Sequence, residues 1–333
     1  MNKRYSRQTQ YSKFGEKSQE QLQKTHVMII GAGALGSHCA EILVRMGVGR
    51  LTIIDMDIVE ESNLHRQATY NEIDAASMLP KVEALKAHLD LINSNVKIIG
   101  LYKELTPSNI EEILRLQQPD IILDGMDHFE VRYLINETCH KLSIPWIYGA
   151  AIGSKGTVFG IDYNGPCLKC MLNTIPSTGE SCSINGVLPP IIHQVASMEI
   201  SELTRWVAGN GFSQKLITLD CFNLKFNTFN TGNLKNTHCP TCVSGNYELL
   251  NIPLTKNIEN YCGNVFMFRF SSEIFENAEY LPLNIIKRNY FVKLAHYSNY
   301  SMTIFKDGRI NIYGVETKEQ ANTIYNELLN YLK

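Results

Sequence analysis

Val27-Met28-Ile29-Ile30-Gly31-Ala32-Gly33-Ala34-Leu35-Gly36 is the stretch from which the fold can be read. A short apolar run ends in a Gly-x-Gly-x-x-Gly turn. Residues 37–46 then read as a helix closed by Gly47, and Arg50-Leu51-Thr52-Ile53-Ile54-Asp55 reads as a second buried strand. Strand, glycine turn, helix and strand make a βαβ unit, which implies a parallel sheet. In that setting Gly31, Gly33 and Gly36 permit a tight turn and let backbone N–H groups approach a phosphate. The helix N-terminus adds partial positive charge. Asp55 ends the second strand, where an acid can bond a ribose hydroxyl. Taken alone, such a turn most commonly serves NAD or FAD; a glycine turn without a ligand is the plainer alternative.

The alternation continues outward. Pro80-Lys81-Val82-Glu83 opens another helix, with Val82, Leu85, Leu89 and Ile92 at helical spacing. Residues 96–101 and 120–124 read as strands, residues 131–142 as a helix, and residues 144–148 carry the pattern on. Residues 1–25 are polar and read as an arm with short helices. The expected fold class is α/β: a Rossmann-like, mostly parallel sheet with a more mixed second part, over residues 1–246. Residues 247–333 differ and read as a small α+β C-terminal appendix. In it, residues 301–305 and 310–313 form a hairpin across Asp307-Gly308, and residues 317–332 form a final helix.

The chain has 333 residues, 44% of them hydrophobic and 19% charged, which suits a soluble globular protein with a large core. The formal net charge is −2 and no basic run appears, so no nucleic-acid partner is expected. Residues 27–35 are too short and too glycine-interrupted to span a bilayer, and no apolar leader follows Met1. The expected location is the cytoplasm, without a membrane partner.

An odd count of nine cysteines, with no export signal, argues against a disulfide framework. Cys167-x-x-Cys170 and Cys239-x-x-Cys242 are two knuckle-like pairs. Four thiolates suit tetrahedral Zn²⁺ in a closed, structural site. A redox reading of the pairs would need a thioredoxin-like βαβ context, which neither has. Cys39, Cys139, Cys221 and Cys262 read as packing residues. His193 and His238 have no partners at metal-ligand spacing.

The stretch after the second strand departs from a dehydrogenase. Asp55-Met56-Asp57-Ile58-Val59-Glu60-Glu61-Ser62-Asn63-Leu64-His65-Arg66-Gln67 closely resembles a segment of the MoeB/ThiF/HesA family, the bacterial relatives of ubiquitin-activating enzymes. Ser6-Arg7-Gln8, Pro80-Lys81-Val82, Asp124-Gly125-Met126-Asp127 and Gly186-Val187-Leu188-Pro189-Pro190 match further motifs of that family in order. The resemblance covers about residues 3–246. It implies an adenylyltransferase that uses ATP to activate the C-terminal glycine carboxylate of a small ubiquitin-like sulfur-carrier protein ending in Gly-Gly. It also implies roles. Asp55 would bind the ribose, and Asn63, Arg66 and Lys81 would meet the phosphates, with Asp57 and Ser62 in the same nucleotide-binding stretch. Arg7 would reach into the neighbouring subunit's site of a homodimer. Cys182 matches a family cysteine tied in some members to a covalent carrier or persulfide step; an unused thiol is the alternative. His128 stands where the family has Asn, so either it replaces the amide or the adenine-side loop differs.

The residue types fit such chemistry. Arg66 can clamp phosphate oxygens in a planar fork, and Lys81 supplies a point charge at a helix start. Asp127 can hold Mg²⁺, which takes few protein carboxylates. A carboxylate attacking the α-phosphate needs no general base, so catalysis would be positioning plus charge stabilisation. The molybdopterin route is the expected pathway and the thiazole carrier the alternative. A nicotinamide-dependent oxidoreductase and a non-catalytic scaffold are the readings from other classes. The tail has no cysteine followed by an arginine-rich anion loop, so the sulfur is expected from a separate donor protein.

Overall fold

Strand β1 (His26–Ile30) is buried along its whole length because it is flanked on both edges. It pairs in parallel with β2 (Arg50–Asp55) on one side and with β4 (Ile121–Asp124) on the other. Strand β3 (Lys97–Tyr102) lies outside β2, and β5 (Trp146–Ile152) lies beyond β4, both also parallel. Then the direction alternates. β6 (Lys155–Ile161), β7 (Lys215–Asp220) and β8 (Lys225–Asn230) add antiparallel pairs. The eight-stranded order is β3-β2-β1-β4-β5-β6-β7-β8. The computed structural model describes residues 3–172, 186–252, 257–261 and 265–331.

The α/β expectation, parallel first and mixed later, therefore holds. The continuous apolar runs of β1 and β4 have a physical reason: strands covered on both faces need no polar side. Helix Ala34–Met46 starts at the glycine turn itself, with Gly33 as its N-cap, so it begins earlier than residue 37. It ends, as read, at Gly47 in the left-handed conformation. Helix Lys81–Ile92 follows Pro80, and helix Phe129–Leu142 follows β4. The core includes Met28, Ile30, Ile122, Trp146 and Phe159. Trp146 and Phe159 are among its largest fully buried side chains, and a buried Phe stabilises the fold by about 2–3 kcal/mol.

The chain divides into two compact units, Met1–Ala76 with Pro80–Pro253, and Ser77–Leu79 with Leu254–Lys333. The second unit has a fully antiparallel six-stranded sheet. Its strands are β9 (Ile258–Tyr261), β10 (Val265–Arg269), β11 (Asn284–Arg288), β12 (Val292–Tyr297), β13 (Tyr300–Phe305) and β14 (Arg309–Tyr313), in the order β11-β12-β13-β14-β10-β9. The read hairpin is β13–β14, turning at Asp307-Gly308. Helix Lys318–Tyr331 contributes Ile324 and Leu328 to a core with Phe268, Ile304, Ile310 and Ile312. No helix among the described residues is long and apolar enough to cross a membrane.

Candidate functional site

The strand order reverses between β1 and β4, and in open α/β sheets ligands bind outside the carboxyl ends of the strands at such a point. Gly31 and Gly125 meet at that point. A Cβ on Gly31 would lie 2.6 Å from the Gly125 carbonyl oxygen, and one on Gly125 would lie 2.4 Å from that of Gly31. Gly36 is tighter still, because its Cβ would sit 1.8 Å from the Gly31 oxygen. The protein itself therefore demands glycine at 31 and 36. Gly33 is different: its Cβ would meet nothing nearer than 4.0 Å. The space beside Gly33 is open at the N-terminus of helix Ala34–Met46, where phosphate oxygens can meet backbone N–H groups.

Asp55 closes β2 beside this turn. Its Oδ2 accepts from the Ala32 N–H at 2.6 Å and its Oδ1 from the Asp57 N–H at 2.7 Å. Both oxygens are thereby oriented, and each keeps a lone pair for a hydroxyl. Burial pushes this carboxyl up, while Lys81 and the two N–H donors pull it down; the net shift is upward. Lys81 Nζ lies 3.1 Å from Asp57 Oδ2, and its side chain is only 9% exposed. Burial works against its charge, but Asp57, Asp55 and Asp127 outweigh that, and its pKa is raised. Lys81 is thus a fixed cation across the neutral range.

Residues 61–67 follow β2 and turn back toward helix Ala34–Met46. A short 3-10 turn, Glu61–Asn63, is closed by Asn63 itself: Asn63 Oδ1 accepts from the Glu60 N–H at 3.3 Å. The Asn63 side chain is buried and structural in the turn, while Ser62 is exposed. Arg66 Nη1 donates to the Ser62 carbonyl at 2.8 Å, and the Arg66 carbonyl contacts His38 Nε2 at 3.3 Å. That contact ties the arginine's backbone to the glycine-rich helix. Asp127 follows β4 with a side chain 56% exposed, 3.7 Å from His128 Nε2.

Asp55, Asp57, Lys81 and Asp127 are thus brought into one electrostatic neighbourhood. Arg7 stands apart. It is exposed on helix Ser6–Thr9 and donates to Gln10 Oε1 at 3.4 Å. Cys182 lies outside the described residues.

Two features escape a reading of the sequence. The buried Tyr70 hydroxyl donates to the Ala32 carbonyl at 2.8 Å and lies 3.3 Å from that of Lys81, joining the glycine turn to the lysine helix. Arg132 is buried against Asp124, with Nε 2.8 Å from Oδ2. It also donates to the carbonyls of Met126 and of Gly149, the latter at 2.7 Å. The signal for that pair was an acid at the end of an apolar strand and an arginine in the first turn of the next helix.

The four paired cysteines converge. Their sulfurs all lie within 4.8 Å of one another. Cys167 and Cys239 are 3.6 Å apart, Cys170 and Cys242 are 3.5 Å apart, and Cys167 and Cys170 are 3.9 Å apart. A tetrahedral ion with metal–sulfur bonds of about 2.3 Å needs an edge of about 3.8 Å, so the donor set fits Zn²⁺. Asn136 fixes the first knuckle by accepting from the Leu168 N–H at 3.0 Å. Cys39 and Cys139 are buried, as packing residues should be, and Cys221 is half-buried.

Comparison with known proteins bears on this geometry directly. The ThiF family model matches residues 5–241. The chain belongs to the ThiF family. One relative is the sulfur carrier protein ThiS adenylyltransferase of Bacillus subtilis, 33% identical over 98% of this chain and 99% of that protein. Another is the SAMP-activating enzyme E1 of Haloferax volcanii, 30% identical over 74% of this chain and 90% of that one. The adenylyltransferase and sulfurtransferase MOCS3 of Aedes aegypti is 32% identical over 78% of this chain. There the match spans 58% of the relative's length. The expected enzyme class, a sulfur-carrier adenylyltransferase of the ThiF family, is the one the Bacillus subtilis relative is named for, and the Aedes aegypti relative is also named an adenylyltransferase. They give an oxidoreductase no support. Among solved structures, Escherichia coli MccB bound to MccA-N7isoASN superposes with a TM-score of 0.63. It is 21% identical and covers 73% of this chain and 75% of that chain, which shows a shared fold.

Proposed function

We propose that the chain uses MgATP to adenylylate the C-terminal glycine carboxylate of a ubiquitin-like sulfur carrier ending in Gly-Gly. One observation carries the reading: Lys81 is held as a buried cation by Asp57 and Asp55, beside a glycine turn with open space at Gly33. A triphosphate, which carries more negative charge than the pyrophosphate of a dinucleotide, calls for such a cation more strongly.

In this reading the Gly31–Gly36 turn receives the phosphates and Asp55 accepts from the ribose. Ser62 and Arg66 line the phosphate side, with Asn63 reaching it through its Nδ2 while its Oδ1 holds the turn, and Arg66 has the planar fork that suits paired oxygens. Asp127 would hold Mg²⁺, which neutralises phosphate charge when bound. His128 beside it serves the adenine side in place of an amide. A carrier carboxylate oxygen attacks the α-phosphorus, the bond to the bridging oxygen breaks, and pyrophosphate leaves. No proton moves, so the residues need only orient the reactants and stabilise charge. The acyl-adenylate product is activated for sulfur attack by a separate donor. Arg7, on its exposed arm, completes the site of a second subunit in a homodimer. Cys182 is the candidate for any covalent step. Cys167, Cys170, Cys239 and Cys242 hold structural Zn²⁺.

For the pathway we favour the thiazole carrier over the molybdopterin carrier that the sequence alone pointed to. The match to the ThiS adenylyltransferase runs through both compact units, whereas the MOCS3 match covers 78% of this chain. Carrier-dependent exchange of labelled pyrophosphate into ATP tests both levels. Exchange with a thiazole-type carrier supports the proposal. Exchange with a molybdopterin-type carrier alone reassigns the pathway, and no exchange with any Gly-Gly carrier overturns the function.

A further inference from the structure

Glu199 lies in the middle of helix Pro189–Val207 and is completely buried. Among the described residues its Oε1 has no hydrogen-bond partner, and its Oε2 receives only the Cys39 thiol, at 3.5 Å. Its carboxyl rests directly on Gly149 of β5. A Cβ on Gly149 would lie 2.4 Å from Glu199 Cδ and 2.6 and 2.7 Å from the two oxygens. The acid therefore occupies the volume a side chain at 149 would need.

Gly149 is the junction of the network beneath the nucleotide loop. Its carbonyl accepts from Arg132 Nη2 at 2.7 Å, and Arg132 Nε donates to Asp124 Oδ2 at 2.8 Å. Arg132 in turn donates to the Met126 carbonyl, and Asp124 Oδ1 accepts from the Met126 N–H at 2.9 Å. Met126 precedes Asp127. A shift of the Gly149 peptide would thus be passed to Asp127 through two bonded paths. Cys39 lies on helix Ala34–Met46, so Glu199 touches both that helix and strand β5.

We propose that Glu199 is a positioning residue for the nucleotide site: by filling the space over Gly149 it locks the peptide that anchors Arg132 to Asp124 and Met126, and so fixes the loop carrying Asp127. Burial and the neighbouring Asp124 keep its carboxyl well above the usual carboxylate range. A neutral acid in this place needs no counter-ion, which matches its sparse hydrogen bonding. The amide of glutamine has the same shape and no charge.

The test compares Glu199→Gln, Glu199→Ala, Gly149→Ala and the double variant in the full chain. The first readout is amide hydrogen exchange at Gly125 and Met126, which requires no nucleotide. Glu199→Ala and Gly149→Ala should each speed exchange there about tenfold while β1 amides are unchanged. The double variant should recover most of that protection, because the new methyl enters the vacated space. Glu199→Gln should stay within about twofold of the parent. The second readout is pyrophosphate exchange and rests on the proposed function. Glu199→Ala should lower kcat about tenfold with KM for ATP less affected, and Glu199→Gln should retain it. A folded Glu199→Ala with unchanged loop amides overturns the inference, as does a Glu199→Gln that behaves like Glu199→Ala. If Glu199→Ala does not fold, Glu199→Asp carries the comparison, with the same expected direction. Inactive parent protein with altered loop amides in the variants would sink the proposed function and leave this inference standing.

Discussion

Asp57 holds Lys81 twice: its carbonyl oxygen accepts from the Lys81 backbone N–H at 2.9 Å, and its carboxylate meets the ammonium at 3.1 Å. One contact fixes where the helix Lys81–Ile92 starts. The other fixes where its first side chain puts its charge. The same two residues thus set both the local fold and the electrostatics of the site.

Replacing Lys81 with methionine should therefore lower pyrophosphate exchange by on the order of 100-fold or more, with the helix start preserved by the backbone bond. Circular dichroism should be unchanged. The pH dependence has a definite sign. The folded pKa of Lys81 is raised, so the stability from its charge is fully present below the unfolded value of about 10.4 and is lost only as pH rises through the higher folded value. An alkaline fall in activity between pH 8 and 9 that vanished in Lys81→Arg would contradict this.

The three glycines of the turn should separate cleanly. Gly36→Ala collides with the Gly31 carbonyl and should cost about 3 kcal/mol or more in a denaturant titration. Gly33→Ala has room within the protein and should keep its midpoint within the error of the measurement. Its nucleotide affinity should nevertheless fall about tenfold by calorimetry, because the methyl enters the space left for phosphate. Equal behaviour of the two variants would remove the distinction.

Much of this was legible in the sequence, for reasons that are local. Apolar runs, the glycine turn and the β2 boundaries Arg50 and Asp55 depend on neighbours in the chain. The same holds for Gly47 as a helix terminator. The two Cys-x-x-Cys pairs were readable because thiolate spacing is itself the signal. What stayed hidden depends on distant partners. Arg132 looks like any helix arginine until β4 brings Asp124 under it, and Glu199 looks like a surface acid until Gly149 makes room for it. Tyr70 has no motif at all. Strand β8, with all six residues exposed, lacks the alternation that marks a strand.

Metal removal should act on the fold before it acts on chemistry. Metal analysis should find about one zinc per chain, and Cys239→Ser should lose it. The variant should unfold at lower temperature, with thiol reagents reaching cysteines that the parent protects. Full metal content in Cys239→Ser would refute the ligand assignment.

Acidification should loosen the β7–β8 turn through Asp220. Its carboxylate accepts from Asn223 Nδ2 and from the Ser154 hydroxyl, each at 2.8 Å, and from the Phe222 N–H at 3.2 Å. These bonds, Asn223 first, hold its pKa down to about 2. A depressed acid contributes stability that is present above its unfolded value of about 3.9 and lost as pH falls through the folded one. Carboxyl-carbon NMR should place the titration below pH 3, and Asp220→Asn should abolish the acid-dependent loosening of hairpin amides. A titration near pH 4 would show the cap to be absent.

The cysteine cluster has a topological consequence. Its two pairs lie on opposite sides of the segment containing helix Pro189–Val207 and strands β7 and β8. With an ion shared among the sulfurs, that span becomes a closed ring of backbone. A single protease cut inside the ring would leave both new ends tethered, and the fragments would part only once a chelator had opened the clasp.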